Sequence, residues 1–173
     1  MYSPRKDVQT VTPKGELVAP MIEDVKIRYA ITHPDERGSV TEIFDPRWGF
    51  THEPMVYLYE FTIRPGIVKG WIKHEQQTDR IFLQRGSLRV VLYDDRPDSP
   101  TYQMVNQFTF TEHNRGMISY PSGVYHALEN VGMTDVICLN TPTTPYNHED
   151  PDKYRLPLDN DLIPFKFKGK TGW

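Results

Sequence analysis

Short runs in which apolar and polar residues alternate, broken at close intervals by proline or glycine, constrain this chain more than any other feature. MVYLYEFTIR (55–64) and SLRVVLYD (87–94) repeat with the period of two that a half-buried strand requires. QRGSLRVV (84–91) sets a glycine at a tight turn between two such runs. DDRPDSP (94–100) is a polar loop with two prolines. Fifteen prolines and eleven glycines leave no stretch with sustained helical periodicity. IEDVKIRYAI (22–31) has a helix-like spacing, but its β-branched residues favour a strand. Strands are expected near 24–32, 39–44, 55–64, 67–74, 79–85, 87–94, 102–111, 116–120, 123–129 and 134–141. So many short strands in 173 residues predict one all-β domain, a sandwich, barrel or jelly roll. An N-terminal arm (1–20) and a loose, basic C-terminal tail (166–173) flank a domain at 21–165.

The formal net charge of −3 gives no basic field for nucleic acid. No apolar run is long enough for a membrane span, and the first residues lack the apolar stretch of a secretory leader. Cys138 is the single cysteine, so no intrachain disulfide forms. A cytoplasmic protein is expected.

Two motifs carry chemistry. GIVKGWIKHEQQTDRIFLQRG (66–86) and PSGVYHALEN (121–130) resemble the paired motifs of the cupin superfamily, whose fold is a jelly roll (double-stranded β-helix). Pro121, Gly123, His126 and Asn130 match the second motif at every fixed position. In the first, the opening histidine slot holds Ile72, the second holds His74, and the acid slot holds Asp79. Residues two apart on a strand face the same side, so Ile72 and His74 both point into the barrel. His74, Asp79 and His126 then form either an open two-histidine, one-carboxylate site for Fe, Mn, Ni or Zn, or a hydrogen-bonded polar cluster without metal.

Further stretches narrow the resemblance: HPDERGSVTEIFD (33–45), KGW (69–71), the segment 84–102, ISYPSGVYHALEN (118–130), ICLNT (137–141) and, more loosely, LPLDNDLIPFKF (156–167). In this order they are similar to the dTDP-4-dehydrorhamnose 3,5-epimerase family of cupins. The resemblance implies a homodimer that needs no cofactor and holds a nucleotide-linked keto sugar in its barrel. It also implies proton abstraction beside a carbonyl and proton return on the other face, with the enolate stabilised between. By the same resemblance Arg37 and Glu42 meet the nucleotide, while Lys69, His126 and Glu149 contact substrate. The chain departs at the family's base histidine (Ile72), its acidic tyrosine (Cys138) and a sugar-contacting lysine (Asp79). The C-terminal carboxylate that orients the base has no counterpart. His74, paired with Asp79, is therefore expected as the base, and Tyr146, in the proline-rich loop 141–150, as an acid over the barrel mouth. The alternatives are a metal-dependent cupin acting on a small molecule and a non-catalytic sugar- or nucleotide-binding cupin.

Other residues have plainer expectations. Lys73 and Arg80 are placed at the surface. Trp71, Tyr57, Tyr59, Tyr120 and Tyr125 either fill the core or stack on a ligand. Lys69 is in phase with His74 only if a bulge intervenes.

Overall fold

The alternating runs form strands with their apolar faces turned to one core. A computed structural model describes residues 4–14 and 17–172; residues 1–3, 15 and 16 of the expected arm and Trp173 of the expected tail lie outside it. Among the described residues there is no α-helix, only a 3₁₀ turn at Pro46–Trp48. The strands are β1 (Lys26–Tyr29), β2 (Thr32–Asp35), β3 (Gly38–Thr41), β4 (Tyr59–Ile63), β5 (Ile67–Lys73), β6 (Asp79–Arg85), β7 (Leu88–Asp94), β8 (Val105–Phe110), β9 (Gly116–Tyr120), β10 (Val124–Asn130), β11 (Val136–Asn140), β12 (Tyr154–Arg155) and β13 (Thr171–Gly172). One sheet runs β1-β9-β6-β11-β4. The other runs β12-β5-β10-β7-β8, with β13 also on β5, and β2–β3 is a separate hairpin. This is the jelly roll that the sequence predicts.

The two sheets close on a core that includes Ile63, Leu83, Val90, Leu92, Phe110, Val136 and Cys138. The second sheet is covered on its outer face too. Trp71, Val91, Tyr93, Tyr125 and Ala127 pack there against Ile163 and Phe167. SLRVVLYD is therefore not the half-buried strand its alternation suggests: it is buried on both faces, which calls for apolar residues on both sides of its centre.

That outer layer corrects the expectation of a loose tail at 166–173. Phe167 lies 5.5 Å from Trp71, ring to ring. Lys170 pairs with the buried Glu129 at 3.3 Å, and Thr171 and Gly172 run parallel to Ile67 and Val68. The described part of the N-terminal arm is almost wholly exposed, including Val8, Val11, Leu17 and Val18.

Arg80 is a second correction. Its alternation points it away from the barrel interior, yet it is fully buried. The guanidinium donates to the Thr141 carbonyl at 2.6 Å, to Thr51 Oγ1 and the Glu53 carbonyl at 2.9 Å, and to the Pro54 carbonyl at 3.0 Å. It ties the loop before β4 to the end of β11. Lys73 is half-buried and pairs with Asp95 at 2.8 Å.

Candidate active site

Strand alternation sorts the barrel interior into rings. From depth to mouth, β4 supplies Ile63, Phe61 and Tyr59, and β11 supplies Val136, Cys138 and Asn140; β6 supplies Leu83, Ile81 and Asp79. The registers Asn140–Tyr59 and Asn140–Ile81 set these side by side. The deep rings are apolar and the mouth ring is polar. His126 joins it from β10, in phase with Val124 and Leu128 of the core.

β5 reaches the ring through a bulge. His126 pairs with Ile72 and Leu128 with Lys69, so two steps on β10 oppose three on β5. The extra residue falls at Gly70–Trp71. It turns Trp71 outward and brings Lys69, Ile72 and His74 onto one cavity wall. Gly70 has φ +151°, and a Cβ there would lie 2.5 Å from Ala127 Cα, so only glycine fits.

At the centre sits Asp79. Its Oδ1 accepts from Gln77 Nε2 at 2.9 Å and Asn140 Nδ2 at 3.0 Å, and its Oδ2 accepts from the Tyr120 hydroxyl at 3.3 Å. His74 Nε2 lies 3.5 Å and His126 Nε2 3.6 Å from Oδ2. Burial pushes the Asp79 carboxyl upward, but the hydrogen bond from His74, the two imidazoles and Asn140 outweigh it and hold it well below the usual carboxylate range. His74 loses proton affinity to burial and regains more from Asp79, so it lies above its ordinary value. His126, more deeply buried and flanked by a second imidazole, falls to about 3 despite Asp79. At neutral pH the cluster is an ionised Asp79, a His74 poised to hold a proton, and a neutral His126 whose Nδ1 has no hydrogen-bond partner among the described residues.

Asp152 fixes the orientation of His74. Its backbone carbonyl meets His74 Nδ1, so the neutral ring carries its proton there and offers Nε2 to the cavity. The segment is held in place by β12, which pairs Tyr154 with Lys73 and Arg155 with Ile72. The ring of His74 is thus oriented by a backbone carbonyl.

Three contiguous depressions open at the mouth. The inner one, about 120 Å³, is lined by His74, Asp79, His126, Lys69, Tyr59 and Lys153, among others. The outer one, about 200 Å³, contains His74, Tyr57, Tyr59, Tyr146 and Lys153. The third, about 250 Å³, contains Lys69, Lys153, Arg155 and Gly172. Joined, they reach the size range of small-molecule sites.

The expected residues divide accordingly. His74, Asp79, His126 and Lys69 come together, with Tyr146 on the outer wall, where its ring meets His148 edge-on at 4.8 Å. Arg37 and Glu42 do not join them: Arg37 is 82% exposed at the tip of the β2–β3 hairpin, paired with Asp35, and Glu42 is exposed beyond β3. Glu149 is exposed and lines none of the three depressions. Trp71, Tyr120 and Tyr125 are core residues. Cys138 is fully buried, and burial pushes its thiol up to about 12, so it packs rather than titrates. Nothing in the sequence marks Asp152 and Lys153 as site residues, and Tyr59, expected to fill the core or stack on a ligand, lines the cavity. The Tyr59 oxygen accepts from Asn140 Nδ2 at 2.9 Å, leaving its proton free to donate.

His74 Nε2, Asp79 Oδ2 and His126 Nε2 face one another closely enough to ligate one divalent ion, their donor atoms lying within 4.8 Å. Against that use, Asp79 already accepts from three neutral donors, and two lysines share the cavity.

A jelly-roll barrel with an apolar floor and a mouth ring of imidazole, carboxylate, phenol and lysine holds groups able to move protons on and off a polar small molecule. The family model for dTDP-4-dehydrorhamnose 3,5-epimerase matches residues 20–162. The chain is 36% identical over 142 residues to the probable low-salt glycan biosynthesis epimerase Agl13 of Haloferax volcanii, covering 81% of this chain and 90% of that protein. It is 31% identical over 147 residues to the spore coat polysaccharide biosynthesis protein SpsL of Bacillus subtilis, covering 85% and 97%. A crystal structure of a dTDP sugar isomerase from Desulfovibrio desulfuricans G20 superposes with a TM-score of 0.79 at 25% identity, covering 87% of this chain and 94% of that one. The chain belongs to the dTDP-4-dehydrorhamnose 3,5-epimerase family. The expectation of a sugar-nucleotide epimerase or isomerase is borne out at that level, and the metal-dependent and non-catalytic alternatives are not favoured.

Proposed function

We propose that the protein inverts a carbon beside the ketone of a thymidine-diphosphate 4-keto sugar. The observation that carries this reading is His74 at the barrel mouth, its Nδ1 fixed by Asp152 and its Nε2 3.5 Å from the ionised Asp79. His74 Nε2 takes the proton from the carbon next to the carbonyl. The C–H electron pair becomes a C=C bond and the carbonyl pair moves onto oxygen. Asp79, 3.5 Å from that same nitrogen, stabilises the imidazolium by its negative charge. A proton returned to the opposite face restores the ketone with that carbon inverted. Tyr59 supplies it, because its oxygen is already anchored by Asn140 and it shares both His74-containing depressions. Tyr146, on the outer wall, is better suited to cover the sugar than to protonate it. The base stands two residues further along the chain than in the family pattern, just past the end of β5, so the sugar sits ~6–7 Å nearer the opening.

The site works without a metal in this reading, and chelation leaves the activity intact. The exposed edge of β4, the apolar arm residues Val8 and Val18, and Val40 on the β2–β3 hairpin support a homodimer. In it the hairpin carries Arg37, and Glu42 just beyond β3, to the nucleotide in a neighbouring protomer's cavity. A nucleotide-sugar substrate and the free thiol of Cys138 suit the cytoplasm, and no helix among the described residues is long and apolar enough to cross a membrane.

The test is deuterium uptake from D₂O into dTDP-4-dehydrorhamnose at the carbons flanking the ketone, read by NMR. Uptake by the protein, reduced ~10²–10⁴-fold in His74→Gln, supports the reading. Uptake that survives His74→Gln unchanged removes His74 as the base.

A further inference from the structure

We propose that Lys153 is the residue that meets the enolate oxygen in this site; the proposal rests on the epimerase reading above. Three independent features of its position lead there. First, Lys153 directly follows Asp152, whose carbonyl holds His74 Nδ1. The same short stretch of backbone thus aims the base and delivers the ammonium, and β12 locks both to β5. Second, Lys153 is the one lysine common to both depressions that contain His74; of these two, Lys69 lines only the inner one, and both lysines line the third. Third, of the described residues Asp79 is the one carboxylate lining the inner depression, while Asp150 and Asp152 line the outer one. Among the described residues, Asp79 is spent on the imidazoles, Tyr120, Gln77 and Asn140. Neither the Lys153 nor the Lys69 ammonium has an ion pair there, and Lys69 rests over the Phe61 ring at 5.5 Å.

Two unpaired ammonium groups in one partly desolvated cavity call for two negative charges on the ligand. The third depression, with Lys69, Lys153 and Arg155 and no proton-transfer group, suits a diphosphate, whose charge is present before and after reaction; Lys69 and Arg155 hold it, since neither lines the outer depression that contains His74. The enolate oxygen is the charge that appears only during reaction, and it appears within reach of the base. Lys153, beside His74, fits that one. A preorganised cation aimed at developing charge lowers the barrier without tightening the ground state. The electron count closes: the pair released at carbon ends on oxygen against the ammonium, and returns when the carbon is reprotonated.

The decisive experiment uses full-length protein, with Lys153→Met and Lys153→Arg as variants. Deuterium uptake into dTDP-4-dehydrorhamnose and calorimetric binding of dTDP are measured in parallel, with circular dichroism confirming the fold. The expected result is a ~10²–10³-fold loss of uptake in Lys153→Met, dTDP affinity within about threefold of wild type, and partial recovery in Lys153→Arg. Unchanged uptake overturns the proposal. So does a loss of dTDP affinity that matches the loss of uptake, because Lys153 is then a phosphate ligand. If the wild-type protein itself exchanges no hydrogen, the epimerase reading falls and the lysine's role with it. Wild-type exchange that persists in Lys153→Met removes the lysine alone.

Discussion

The Asp152 carbonyl sits on Nδ1 of His74, while the carboxylate of the same residue accepts the backbone N–H groups of Glu75, Gln76 and Gln77 at 2.8, 2.9 and 3.2 Å. One residue therefore stitches the C-terminal segment to the turn that follows the base. Asp152→Ala removes three charge-assisted bonds and leaves three N–H groups to water. The fold is expected to lose about 1–3 kcal/mol in urea unfolding, and deuterium uptake to fall ~10-fold as the imidazole loses its fixed orientation. Uptake at the wild-type rate would show that β12 alone positions the ring.

His74 must be neutral to take a proton, so activity rises with pH through its pKa, which lies above 6.5 because Asp79 outweighs burial. In Asp79→Asn the negative charge is gone while the burial remains. The acid limb of kcat/KM is expected to move to lower pH and the maximal rate to drop. The same raised pKa stabilises the fold below pH 6.5 and is lost as pH climbs through the folded value; Asp79→Asn gives up that increment. An acid limb that stays in place excludes Asp79 as the partner of His74.

His126 has the opposite sign. Its folded value is about 3, against 6.5 for the free side chain, so between those limits the unfolded chain binds the extra proton. Stability must decline as pH falls from about 6.5, and Asp79 adds to the loss once its carboxyl takes up a proton. Melting temperatures measured from pH 7 to 4 should fall steeply for wild type and less steeply for His126→Gln. Parallel curves would mean that His126 is not held neutral by the fold.

The legibility of this protein follows the range of its interactions. Period-two alternation reports which face is buried, so the barrel and the inward directions of His74, Asp79 and His126 could be read directly. β12 and β13 could not, since each is a two-residue pairing imposed by β5 with no pattern of its own. Lys153 lies between a proline-rich loop and β12, and nothing local marks it. The sequence offers Tyr59 only as a core or stacking ring; the Asn140 amide that bridges it to Asp79 is what ties its hydroxyl to the site. Arg80 was misplaced for a related reason: alternation shows that it leaves the barrel, but not that the loop 51–54 waits to cover it.

Gly70 is where fold and chemistry meet most directly. The bulge it permits places Lys69 on the cavity wall; in unbroken alternation with His74, Lys69 would point outward beside Trp71's packing layer. Gly70→Ala puts a methyl 2.5 Å from Ala127 Cα and 2.6 Å from its Cβ, at a φ of +151°. The contacts are backbone and a core methyl, so no flexible side chain can yield. Either the strand shifts and straightens or the sheet opens. The variant is expected to lose about 3 kcal/mol or more in urea unfolding. Whatever folds is expected to bind dTDP at least ~10-fold more weakly, because Lys69 no longer faces the ligand. The double variant Gly70→Ala/Lys69→Met separates the two effects: it should unfold like Gly70→Ala yet bind dTDP no more weakly. A further loss of affinity in the double variant would show that Lys69 had kept its place, and that the bulge is not what sets it.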